Sequence, residues 1–114
     1  MPETNASEFL PGTLYLLVLR TLARGPLHGY AIARRIKDSS EEALEIEEGS
    51  LYPALNRMLV KGWLTAEWGT SENNRKARFY SITRQGKKQL EIETENWERI
   101  AGVIGRVLRL ERQG

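Results

Sequence analysis

Asn56 and Arg57 are the two side chains of this sequence best suited to reading a nucleic acid. An amide can pair with the edge of adenine, and a guanidinium with guanine or with phosphate. Such groups discriminate only when a rigid element carries them to groove depth. The string Glu47-Glu48-Gly49-Ser50-Leu51-Tyr52-Pro53-Ala54-Leu55-Asn56-Arg57 reads as that element. Ser50 is a good N-cap, because its hydroxyl can accept a first-turn N–H. Counted from that cap, Pro53 falls at the third helical position, where its missing N–H is harmless. Leu51, Leu55, Met58 and Leu59 recur as the stripe of a helix with a buried face. At about 100° per residue the opposite face carries Pro53, Asn56, Arg57 and Val60, with Tyr52 and Lys61 at its flanks. An apolar back and such a front suit insertion into a DNA groove.

Each residue of this helix has a role to weigh. Arg57 would contact phosphate or guanine, and Asn56 a base edge, preferably adenine. Tyr52 either reaches phosphate through its hydroxyl or packs against the preceding helix. Pro53 would set the helix start and press apolar surface on the groove. Val60 faces outward with no role toward DNA, and packing on the last helix is its alternative. Ser50 and Lys61 complete the candidate set.

Charge along the chain is segregated. From Arg57 to Lys88 there are eight basic residues and two acids, net +6, whereas Asp38 to Glu48 holds six acids and no base. This suggests one side that meets a polyanion and one that faces away, against the plainer reading of two solvated faces. With 114 residues, 40% hydrophobic and 28% charged, the chain can build one domain with a modest core. The absence of cysteine excludes disulfides and thiolate chemistry and argues against zinc fingers. The longest apolar run, Leu14 to Leu19, is too short for a bilayer, and Met1 to Glu8 lacks a signal-peptide pattern. A cytoplasmic protein without membrane contact is the expectation.

The elements that must position these groups follow from period and punctuation. Met1 to Phe9 reads as a loose arm. Thr13 can cap a first helix through Leu14, Leu17, Val18 and Leu22, stopped by Gly25-Pro26. A second helix runs from about Gly29 to Ser39 on Tyr30, Ala33 and Ile36, with Ile32 beside them and Arg34, Arg35 and Lys37 on its polar side. Ser40 to Glu48 is a connector with a short extended piece at Leu44-Glu45-Ile46. The reading helix ends near Lys61-Gly62, glycine suiting the left-handed terminus. The period then becomes two: Leu64, Ala66 and Trp68 form one strand, and Arg78, Tyr80 and Ile82 another. Between them Gly69 to Lys76 is a polar loop, giving a hairpin with a basic tip. Trp63 and Trp68 read as core and hairpin anchors. Thr83 can cap a long last helix, roughly Arg84 to Leu110.

Three compact helices and a two-stranded wing make a winged helix-turn-helix: mainly α with a small β-hairpin, residues 1–83, followed by a C-terminal helix, 84–114. In that arrangement the third helix enters the major groove and the hairpin lies on the backbone or in the minor groove. Asn74, Arg75, Lys76 and Arg78 would track the backbone; the plainer reading is that they solubilise an exposed hairpin. Arg78 is set apart because its alternation partners Tyr80 and Ile82 can point inward. His28, the single histidine, is a helix-entrance cap or a phosphate contact.

On the last helix Leu90, Trp97 and Ile104 share one heptad position, and Ile100 and Val107 the other. With Ala101, Leu108, Val103 and Leu110 the stripe outruns so small a body, which favours self-association. A two-fold dimer would present two reading helices about 34–36 Å apart and call for a pseudo-palindromic duplex operator. Trp97 either packs against the partner helix or lines an interface pocket for a flat ligand.

Several strings together resemble the PadR family of bacterial transcriptional regulators. They are Leu10 to Leu22, His28-Gly29-Tyr30-Ala31-Ile32, Gly49-Ser50-Leu51-Tyr52-Pro53-Ala54-Leu55, Gly62-Trp63-Leu64, and Arg78-Phe79-Tyr80-Ser81-Ile82-Thr83 with Gly86. The family's commoner residue at Ser50 is threonine, which keeps the hydroxyl. The resemblance implies a homodimeric winged-helix DNA-binding protein, usually a repressor, of the short form with one C-terminal dimerisation helix. It also implies response to a small hydrophobic effector near the dimer interface. A rival reading is a winged-helix protein–protein module that never grips DNA. An enzyme is not expected: there is no nucleophile with a histidine–acid arrangement, no phosphate-cradling glycine loop and no metal-ligand spacing. Neither a cofactor nor a metal is expected, and Glu41, Glu42 and Glu45 read as a solvated connector.

Overall fold

The computed structural model describes Thr4, Asn5 and residues 11–113, with side chains from Gly12 to Arg109. Apart from Thr4–Asn5, the arm expected at Met1 to Phe9 lies outside the described residues, as does the Leu110 side chain. The element order is β1 (Thr4–Asn5), α1 (Pro11–Leu22), β2 (Leu27–His28), α2 (Gly29–Ser39), β3 (Leu44–Glu45), α3 (Glu48–Val60), β4 (Leu64–Thr70), β5 (Lys76–Ile82) and α4 (Arg84–Gln113). This is the expected winged helix-turn-helix with a long last helix; β3 falls on the extended piece expected at Leu44-Glu45-Ile46, whereas β1 and β2 were not anticipated. β2 pairs antiparallel with β5, Leu27 opposite Tyr80, so the wing is three-stranded in the order β2-β5-β4. β1 and β3 make a small parallel pair.

The core forms where the three helices and the base of the wing meet. Val18, Leu19 and Leu22 of α1, Ile32 and Ile36 of α2, Leu51, Leu55 and Met58 of α3, and Leu64 and Tyr80 of the wing are all buried. Burial of such side chains is the main favourable term, about 1.5–3 kcal/mol each. The buried stripe of α2 is Gly29, Ile32 and Ile36. Tyr30, expected on that stripe, is instead 64% exposed.

Helix starts depart from the capping readings. α1 begins at Pro11, so Thr13 lies inside it rather than capping it; proline suits a first turn because its N–H would be an orphan. α3 begins at Glu48 with Glu47 as its N-cap, and the N–H groups of Ser50 and Leu51 both donate to the Glu47 carbonyl. Ser50 is therefore a helical residue and no cap, and Pro53 sits one turn deeper than expected. It offers no N–H to the Gly49 carbonyl one turn back, and both residues are exposed, so water can satisfy that oxygen.

Helix ends follow the expected chemistry more closely. Gly62 has φ +80°, Trp63 N–H donates to Met58 O at 3.0 Å, and Gly62 N–H donates to Leu59 O at 3.1 Å. These crossed bonds close α3 and release the chain into β4. Thr83 caps α4 as expected: its Oγ1 accepts the Gly86 N–H at 3.0 Å and donates to Gly62 O at 2.7 Å. One threonine thus ties the start of the wing to the start of the last helix.

Candidate nucleic-acid interface

The outward face of α3 is as its spacing predicts. Tyr52, Pro53, Asn56, Arg57 and Lys61 are exposed, while Leu51, Ala54, Leu55 and Met58 are buried beneath them. Ser50 is half-buried in the first turn. Val60 is 88% exposed, so it does not pack on the last helix.

Two of these side chains are held by neighbours within the chain. The hydroxyl end of the Tyr52 ring packs on Gly29, where a Cβ would come within 2.6 Å of its hydroxyl and 2.8 Å of its ring. Packing against α2, one of the two roles open to Tyr52, is therefore real, and its edge still reaches solvent. Burial, then the nearby Glu48 carboxylate and Tyr80, hold the phenol above its ordinary pKa, so it stays a neutral donor. At the other edge of α3, Arg57 Nε donates to the Tyr15 hydroxyl at 2.7 Å. The guanidinium also stands 5.7 Å from the Tyr15 ring centre. Tyr15 meets Trp63 edge-on at 5.4 Å, and Lys61 Nζ lies 5.3 Å from the Trp63 ring. Trp63 is thus the core anchor it was expected to be.

The wing closes in a tight turn. Ser71 N–H donates to Arg75 O at 2.8 Å and Asn74 N–H to Ser71 O at 2.9 Å. Asn74 takes φ +59°, a left-handed conformation that asparagine tolerates. Asn74 therefore has a turn-forming reason to be where it is. Arg75, Lys76 and Arg78 are all exposed, and the Arg78 guanidinium lies 5.8 Å from the Tyr80 ring while Tyr80 itself is buried. Trp68 is no anchor of the hairpin: it is 67% exposed, because the hairpin extends past the body that covers Leu64.

His28 is the N-cap of α2, its Nδ1 accepting the Ala31 N–H at 3.3 Å. It stands edge-on to Phe79 at 5.4 Å, at the mouth of an open cleft of about 920 Å³ between α2 and the wing. Tyr52, Arg75, Lys76 and Arg78 line the same cleft, as do Tyr30, Arg34 and Arg35. These last three were outside the candidate set. The signal for the arginines was present, as paired bases on the polar side of α2. Tyr30 was hidden by its match to a helical stripe. Arg34 pairs with Asp38 at 3.6 Å, and Tyr30 together with Asp38 favours its charged form. The structure therefore brings Tyr52 of α3, the entrance of α2 and the wing to one cleft, while Pro53, Asn56, Arg57 and Lys61 are exposed on α3 outside its lining.

Along α4, Trp97, Ile100, Ile104, Val107 and Leu108 are each about half exposed, between 50% and 55%, and Ala101 is half-buried. Leu90 packs on the core instead. Among the described residues no group of acids and histidine is placed to hold a metal, and no helix is long and apolar enough to cross a membrane.

The model of the "Transcriptional regulator PadR-like family" matches residues 18–92, more than half of the chain. The chain belongs to the PadR-like family. Solved structures agree with it in both sequence and fold. A transcriptional regulator from Clostridium thermocellum is 29% identical with a TM-score of 0.76, over 83% of this chain and 92% of that one. A PadR family transcription regulator from Eggerthella lenta is 31% identical, TM-score 0.73, over 85% and 82% of the two chains. One from Clostridium difficile is 29% identical, TM-score 0.72, over 83% and 97%. PadR-like proteins are DNA-binding transcriptional regulators and not enzymes.

Proposed function

We propose that this PadR-like chain is a homodimeric, sequence-specific DNA-binding repressor, relieved by a small hydrophobic ligand at the dimer interface. Residues 1–83 would grip DNA and residues 84–114 would join two copies. The observation that carries the reading is the cleft lined together by Tyr52 of α3, the α2 entrance and the basic wing, beside the exposed polar face of α3. Asn56, and Arg57 with its free guanidinium edge, would read base edges, with Pro53 and Lys61 beside them. Asn74, Arg75, Lys76 and Arg78 would hold the backbone. The half-exposed apolar side of α4 supports dimerisation, and Trp97 within it offers a flat surface to a ligand. The operator would then be a pseudo-palindrome with half-sites one helical turn apart.

Gel-shift titration against the chain's own upstream region and against random duplex tests this. Preference for the upstream fragment is expected, and no binding to either at low ionic strength would favour a protein–protein module instead. Replacing Arg75 and Lys76 by alanine should flatten the log–log salt dependence by about one unit per lost phosphate contact. An unchanged slope would remove them from the interface. Asn56→Ala should relax base preference at one operator position by about 1–3 kcal/mol; equal discrimination across operator variants would exclude Asn56 from the reading set.

A further inference from the structure

Trp68 is a large side chain of the wing whose position folding does not explain. Its indole is 67% exposed, though only its own strand and its β5 partner fix where it stands. Register places Trp68 opposite Arg78 and Ala66 opposite Tyr80, on one face of the hairpin. Lys76 Nζ stands 5.7 Å from the Trp68 ring centre, and Arg78 stands 5.8 Å from Tyr80. Cation and aromatic therefore alternate along this face: Lys76, Trp68, Arg78, Tyr80. The face is one wall of the cleft between the wing and α2, and Tyr30, Arg34 and Arg35 form the other. Of the charged residues lining the cleft five are basic and two acidic, and one of the acids, Asp38, is already paired with Arg34.

A wall of this kind suits an occupant that alternates negative charge with flat apolar surface. A nucleic-acid strand does so, with phosphates for the cations and the apolar faces of its sugars for the indole. We propose that the inner face of the wing, centred on Trp68, is a packing platform for one strand of bound duplex, whose sugar–phosphate backbone lies in the cleft. This rests on the DNA-binding reading above and adds to it an apolar contact that tolerates any sequence.

The test compares Trp68→Ala and Trp68→Phe in the full chain, on the upstream duplex and a random duplex, across a salt series. Trp68→Ala should weaken binding to both by about tenfold and leave the salt slope unchanged, since no cation is removed. Trp68→Phe should restore most of the affinity, and circular dichroism should match the parent for both variants. Trp68→Ala binding within twofold of the parent, or a phenylalanine that rescues nothing, overturns the platform while leaving the DNA-binding reading intact. A parent protein that binds neither duplex removes both.

Discussion

Replacing Gly86 by alanine is expected to lower stability by about 3 kcal/mol or more, among the largest effects a single added methyl can have. Gly86 is buried in the first turn of α4. A Cβ there would overlap the Trp63 carbonyl oxygen and lie 2.8 Å from Ile82 Cγ1. A flexible side chain could swing away, but a backbone carbonyl cannot. This one also accepts the Thr83 N–H at 3.0 Å, and Thr83 in turn holds Gly62 and Gly86. Relief therefore means separating α4 from the base of the wing. Thermal unfolding at fixed protein concentration would show a drop of roughly 10–20 °C for a chain of this size. Gly49→Ala is the control, because a Cβ there meets nothing within 4 Å; alanine should not lower the transition. A Gly86→Ala protein that melts like its parent would mean the α4–wing contact is looser than described.

Ile104→Glu is expected to produce a single-copy species by sedimentation and to cut operator affinity by about a hundredfold or more. Ile104 lies on the exposed apolar side of α4 beside Trp97, Ile100, Val107 and Leu108. A carboxylate buried at a helix–helix contact has lost its water without gaining a partner, a cost of several kcal/mol. Once the copies separate, the two half-sites no longer reinforce each other, so affinity falls further than any one lost contact explains. Arg106→Glu changes charge on the opposite side of the same helix and should leave the assembly intact. An Ile104→Glu protein that still sediments with its partner would place the joint elsewhere.

How much of this was readable without coordinates depended on the range of the contacts involved. Gly62, Thr83 and the bounds of α2 were legible because their reasons are local: a left-handed terminus, a hydroxyl beside a first turn, a glycine and a serine at either end. The start of α3 was not. Ser50 has the better capping side chain, yet the extended backbone at Glu47 starts the helix through its carbonyl, and Glu48 suits the positive first turn. β2 is two residues long and carries no period at all. The spacing of Tyr30, Ala33 and Ile36 matched a helix stripe, but the buried line runs one residue earlier, through Gly29, because Tyr52 from another helix fills that place. Trp68 alternated correctly with its neighbours, and only the length of the hairpin relative to the body could reveal that the core does not reach it. For the interface, the α3 front and the basic wing tip were visible as residue types. The contribution of α2 needed the β2–β5 pairing that brings the two together.

The bond from Arg57 to Tyr15 bears on the thermodynamics of recognition. A free arginine side chain loses about 1.5–2 kcal/mol of rotamer entropy when it is ordered. Here the bond from Nε to Tyr15 and the nearby ring restrict its rotamers through contacts within the chain itself. Whatever anion meets Arg57 meets a side chain with little motion left to lose, so a larger share of the contact energy survives as affinity, and a misplaced partner finds nothing that will bend to fit it.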